Sequence, residues 1–263
     1  MLQTPLALHS PATVDDLGIK GSLYLWALLT AQERRLPVAP TKRLAIRVFS
    51  LLEEMGIVQL PWPGTPWEND PFAYATPIEG IKWRLTWSAY EPEHLIQGLE
   101  DYFDSLNRDE YTVAPLLRQW VELSVGETER YFEHLLLKHR FPIEWAQDIA
   151  YASNDLDVVL TMAQWRYCAW AAVRRGASLA MQNGPHAEGI REAVYQELKR
   201  RAVSVASGAW NGASFPPKST SPDNALGRGF ANRMTQLGDR YWTACPSLDA
   251  LLKSSVRPAS TRA

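Results

Sequence analysis

Side chains able to do chemistry are present in this 263-residue chain, but their spacing keeps them apart. His134 and His139 are five residues apart, and at ~100° per residue they diverge by about 140° on a helix. They do not share a metal from one face. Glu91-x-x-His94 has the spacing of a carboxylate-bridged metal site. Bundle sites of that kind use the motif twice with further glutamates, and here it occurs once, beside Pro92. Glu197-Leu198-Lys199 has the order of a nuclease carboxylate–lysine pair, which belongs on a strand, whereas the residues around it have helical spacing. Asp155-x-Asp157 is explained by helix capping, and Cys168, in an apolar stretch without a neighbouring His, by core packing. Neither a Gly-rich phosphate loop, a dinucleotide fingerprint nor a GxSxG elbow is present. The expectation is a non-enzyme with no catalytic residue, no metal and no cofactor. An enzyme would need a constellation assembled only in space.

Cations offer a different chemistry. Net charge is −2, but residues 1–184 sum to −7 and residues 185–263 to +5. Neutralising phosphate charge supplies most of the affinity for nucleic acid, so clustered Lys and Arg are the residues to look for. One candidate cluster is Lys42, Arg43 and Arg47, together with Lys82 and Arg84. The other is Lys199, Arg200 and Arg201 in the basic C-terminal part. The expected partner is nucleic acid, DNA before RNA.

These residues depend on elements that the hydrophobic spacing outlines. Thr41 is an N-cap for a helix over 42–55 with Leu44, Val48, Leu51, Leu52 and Met55 on one stripe, and Gly56 ends it. A helix over 22–35 precedes it, with Gly18 and Gly21 expected to break the chain upstream. Residues 57–60 form a short strand. A Pro-, Gly- and Trp-rich loop follows, and residues 81–87 return with Trp83, Leu85 and Trp87 alternating against Lys82, Arg84 and Thr86. From Pro92 the spacing is helical: 94–107, 115–123, a helix opened by the capping box Ser124-x-x-Glu127, and a short helix over 143–152. A long central helix is expected over 155–183, apolar on nearly every face and stopped by Asn183-Gly184-Pro185. Pro185 then starts an amphipathic helix ending in Lys199-Arg200-Arg201.

The segment LLEEMGIVQL, followed by KWRLTW, resembles a winged helix-turn-helix module over about residues 13–90. The resemblance implies that the helix before Gly56 lies in the major groove and that the hairpin forms the wing. Between Arg35 and Lys42 there is no room for that family's usual second helix. The expected fold is therefore mainly α, with a small N-terminal winged-helix-like module (helices plus a β-hairpin) followed by a multi-helix bundle. The expected domains are 1–91 for the module, 92–206 for the bundle, 207–229 for a flexible Gly/Ser/Pro-rich linker and 230–263 for a tail helix.

Eleven Trp supply a rival reading. Trp62 and Trp67 in the Pro-rich loop and Trp210 in the linker are candidate anchors for a protein partner. The protein would then be an adaptor or inhibitory partner, or an oligomer or subunit of a larger complex. The start of the chain lacks a signal-peptide pattern, and the apolar stretches are too interrupted to span a membrane. A cytoplasmic location is expected.

Overall fold

Side-chain caps at Thr41, Thr161 and Asn224 start three helices in the computed structural model, which describes residues 11–59, 83–87, 91–184, 189–210 and 212–253. The fold is mainly α: ten α-helices and one two-stranded sheet among the described residues. Two compact units are present. One comprises residues 1–115 and 222–236, the other 116–221 and 237–263. This division differs from the boundaries expected from composition.

In the first unit a short 3₁₀ turn, Asp15–Leu17, leads into α1 (Gly18–Arg34). Gly18 separates the 3₁₀ turn from α1, as expected of a break there, but Gly21 does not break the helix. Gly18 has φ +65° at the junction, and Gly21 lies inside α1, where a Cβ would sit 3.3 Å from Met55 and from Leu17. The glycine is there for close approach to the end of the next helix. Six consecutive residues, Leu23 to Leu28, are buried, so α1 is enclosed on every side. α2 (Lys42–Glu54) starts as expected, with Thr41 Oγ1 accepting from the Leu44 amide at 3.3 Å, and Gly56 follows it at φ +70°. Residues 35–41 between α1 and α2 hold no helix.

β1 (Val58–Gln59) pairs antiparallel with β2 (Arg84–Leu85), Val58 opposite Leu85 and Gln59 opposite Arg84. Burial alternates along the return strand, Arg84 and Thr86 outward and Trp87 inward. α3 (Pro92–Ser105) buries Leu95, Leu99 and Phe103. The first unit also includes residues 222–236, whose first part was expected to be flexible linker. Ala225 and Leu226 donate from their amides to the carbonyls of Pro37 and Val38 (2.8 and 2.9 Å), and Asn224, Leu226 and Phe230 are fully buried. α8 (Ala225–Arg228) continues into a π-helical turn, Gly229–Met234. A Cβ on Gly229 would lie 2.7 Å from the Trp26 ring, so only glycine lets this segment lie against α1. The continuous tail helix expected over 230–243 is absent; the positive φ of Gln236 and Gly238 interrupts it.

The unit division falls inside α4 (Glu110–Lys138), one long helix where two were expected. Pro115 is tolerated in its second turn, where only a bond to the first turn is lost. The Ser124-x-x-Glu127 pattern does not cap: Thr128 Oγ1 donates to the Ser124 carbonyl within the helix, and buried Glu127 lies 3.5 Å from the Tyr241 hydroxyl. In the second unit a 3₁₀ turn, Ile143–Gln147, opens into α5 (Asp148–Asp155).

The expected central helix starts seven residues late. Asp155 ends α5, the chain runs extended, and α6 (Met162–Asn183) begins at a full capping box made by Thr161 and Gln164. That box satisfies two backbone donors reciprocally, which the carboxylate of Asp155 alone does not match. Gly184 ends α6 with φ +91°, where the stop was expected. α7 (Ile190–Ala206) packs along α6 and begins after Gly189; Pro185 lies outside the described residues. Gly176 permits the close packing, because a Cβ there would fall 2.5 Å from Val194 Cγ2. The core beneath is formed by Phe132, Leu136, Phe141, Ile149, Cys168, Val173, Val194 and Leu198. α9 (Arg240–Thr243) and α10 (Leu248–Lys253) complete the second unit. None of the described helices is long and apolar enough to cross a membrane.

Candidate nucleic-acid interface

In the first unit the candidate cations occupy α2 and the hairpin. Arg43 and Arg47 are exposed one turn apart on the side opposite Leu44, Val48 and Leu52, and Lys42 is half-buried. No acidic residue lies in the first turn of α2. Cations there sit at the positive end of the helix dipole, which does not favour the helix but does favour an anion near it. Arg84 is exposed on β2 and donates to Gln59 Oε1 of the paired strand. Lys82, Trp62 and Trp67 lie outside the described residues.

The second unit holds the other cluster, and here acid is close to base. Arg200 and Arg201 both grip Glu197, at 2.7 and 2.6 Å, and these guanidinium groups, Arg200 first, hold its carboxyl below the usual range despite partial burial. Lys199 lies 4.0 Å from Asp155, whose carboxylate also accepts from the Tyr195 hydroxyl at 2.9 Å. Desolvation, helped by that bond, pushes the Tyr195 phenol up to about 12. Arg191 forms a two-armed pair with buried Asp148, at 2.9 and 3.2 Å. Of the three cations expected on this helix end, Arg200 is exposed while Lys199 and Arg201 are half-buried.

Trp210 connects to this cluster. The Arg201 guanidinium stacks 4.1 Å from the Trp210 ring centre and also donates to the Tyr167 hydroxyl at 3.3 Å. From Trp210 a run of rings continues over α6. Tyr167 lies 6.2 Å from Trp210 and edge-on to Phe215 at 5.4 Å; Phe215 is edge-on to Trp170 at 5.2 Å. Arg174 covers Trp170 at 4.7 Å. Phe215 is held in place by its backbone: its amide donates to the Ala163 carbonyl at 2.8 Å, and its carbonyl accepts from Arg166 Nε at 3.0 Å. Sequence reasoning singled out Trp210 and Arg201 separately but missed Trp170, Arg174 and Phe215. The Trp170–Arg174 pair was detectable as an i,i+4 neighbour on a helix; the return of residues 210–215 onto α6 was not.

The groups considered for catalysis stay apart. His94 and Glu91 form an exposed pair at 3.8 Å, and His134 and His139 are exposed. Among the described residues no three His, Cys, Asp or Glu side chains gather as metal ligands would. Asp155, expected as a helix cap, instead closes α5 and binds Tyr195. Both cysteines are free thiols, and burial pushes Cys168 up to about 12, which removes it as a nucleophile near neutrality.

Comparison with protein-family models, with curated proteins and with solved structures finds no match to this chain.

Proposed function

We propose that this is a non-enzymatic, nucleic-acid-associated protein, a DNA-binding regulator or a subunit of a nucleoprotein complex. The observation that carries the reading is the outer stripe of α2, where Arg43 in the first turn and Arg47 one turn further on are exposed on one side of a helix with no carboxylate in its first turn. In the winged-helix comparison α2 faces the groove and the β1–β2 hairpin serves as wing, with Lys82 or Arg84 on phosphate. The second unit then serves dimerisation or partner binding. A cytoplasmic location agrees with two unpaired cysteines.

The test is fluorescence anisotropy of the purified protein with a random-sequence duplex and a single-stranded oligonucleotide across a salt series. Affinity should fall steeply with salt, and Arg43→Ala/Arg47→Ala should weaken binding and make the slope shallower by about 2. Absence of binding to either probe at low salt would overturn the reading. A protein–protein adaptor is the second reading, favoured by Leu248 and Leu252, which are exposed four residues apart on α10.

A further inference from the structure

We propose that the strip of Arg174, Trp170, Phe215, Trp210 and Arg201, packed over buried Tyr167, is a binding surface for single-stranded nucleic acid, with unpaired bases stacking on the exposed indole of Trp210. The inference rests on the nucleic-acid reading above but assigns a separate site in the second unit.

Three observations support it. First, cations flank the rings: Arg174 lies over Trp170 at one end and Arg201 over Trp210 at the other, with Phe215 and buried Tyr167 between them. Single strands are held this way, phosphates by cations and bases by aromatic faces, with little regard for sequence. Second, acid is sparse around the strip. α6 contains Arg166, Arg174 and Arg175 and no Asp or Glu, and residues 207–221 contain Lys218 and no Asp or Glu. Glu197 on α7 is already held by Arg200 and Arg201, which leaves that trio with a net positive charge. Third, the platform is built before any ligand arrives. Two backbone hydrogen bonds pin Phe215 to α6, and Arg201 fixes one side of Trp210, yet 44% of the Trp210 surface stays open.

Size agrees with a short stretch of strand. From Tyr167 to Arg174 the axis of α6 rises about 10 Å at ~1.5 Å per residue, room for a short segment of strand. A duplex keeps its base faces stacked inside and has nothing to offer an indole. An acidic peptide would be drawn to the same cations but would gain little from the rings, so single-stranded nucleic acid fits both halves of the surface.

The experiment uses the full chain with a fluorescein-labelled oligothymidine of about 20 nucleotides and a mixed-sequence duplex of equal length. Trp210→Ala should weaken oligothymidine binding at least about fivefold, Trp210→Phe should restore most of it, and duplex affinity should change less than about twofold. Arg174→Ala should make the salt slope for oligothymidine shallower by about 1. Should Trp210→Ala lose its helical circular dichroism, Trp210→Phe and Arg174→Ala carry the test. Oligothymidine binding untouched by the Trp210 and Arg174 changes would overturn this site and leave the nucleic-acid reading standing. Binding to neither probe would overturn both.

Discussion

The guanidinium of Arg201 lies over the indole of Trp210, 4.1 Å from the ring centre. One residue belongs to a basic helix end, the other to a Gly- and Ser-rich segment, and nothing in their local spacing relates them. Their contact turns a basic cluster and a lone tryptophan into one surface. The same guanidinium is held at its edge by Glu197 and touches the Tyr167 hydroxyl. Arg201 is therefore a fixed wall beside Trp210.

Gly176 should be irreplaceable by larger residues. Alanine favours a helix interior by up to ~1 kcal/mol over glycine, but its Cβ would meet Val194 Cγ2 at 2.5 Å. Overpacking of that kind costs about 1–3 kcal/mol. Gly176→Ala should lower the urea midpoint, and adding Val194→Ala should not add the full cost of a second, independent core deletion. A midpoint that rises in the single variant would mean that α7 moves aside freely.

Thr161 starts α6 through a reciprocal pair with Gln164. Thr161→Ala should destabilise the protein by about 0.5–2 kcal/mol. Thr161→Ser should cost much less, because the accepting oxygen remains. Chemical denaturation of both variants measures the difference; equal losses would assign the effect to the methyl group instead of the cap.

Glu197 gives a pH signature. Its folded carboxyl titrates below the ordinary value of 4.5 because Arg200 and Arg201 hold the anion. A depressed carboxylate contributes stability that is present above the unfolded value and is lost as pH falls through the folded one. The stability gap between the native protein and Glu197→Gln should be level at neutral pH and shrink below about pH 4.5. A gap that is flat down to acid unfolding would show that the ion pairs contribute nothing net.

Thiol labelling should separate the two cysteines. Cys168 is fully buried with its thiol pushed up to about 12, whereas Cys245 is half-buried and its thiol is raised less. A thiol-specific chromogenic reagent at mildly alkaline pH should modify Cys245 alone in the native protein and both residues in denaturant. Rapid reaction of a Cys245→Ala variant without denaturant would show that the α6 core opens locally.

How much was legible in advance depended on range. Thr41, Gly56 and Gly184 act on backbone groups within a few residues, so α2 and the end of α6 were predictable from their caps and stops. The alternation of Arg84, Leu85, Thr86 and Trp87 was equally local, since side chains on a strand change face at each step. The mainly α class followed from these periodicities alone. Distant partners decided the remainder. Gly21 and Gly229 look like breakers until Met55 and Trp26 are seen against them. Ser124 and Glu127 look like a cap until the helix runs through them and Glu127 meets Tyr241. Residues 222–229 look like a linker until Ala225 and Leu226 hydrogen-bond to Pro37 and Val38. Capping and strand alternation act within one turn or one step, and those the amino-acid sequence determined by itself. Which glycine must be small, which loop is held and which tryptophan lies over which arginine depend on atoms brought together across long stretches of chain, and only the tertiary structure decided them.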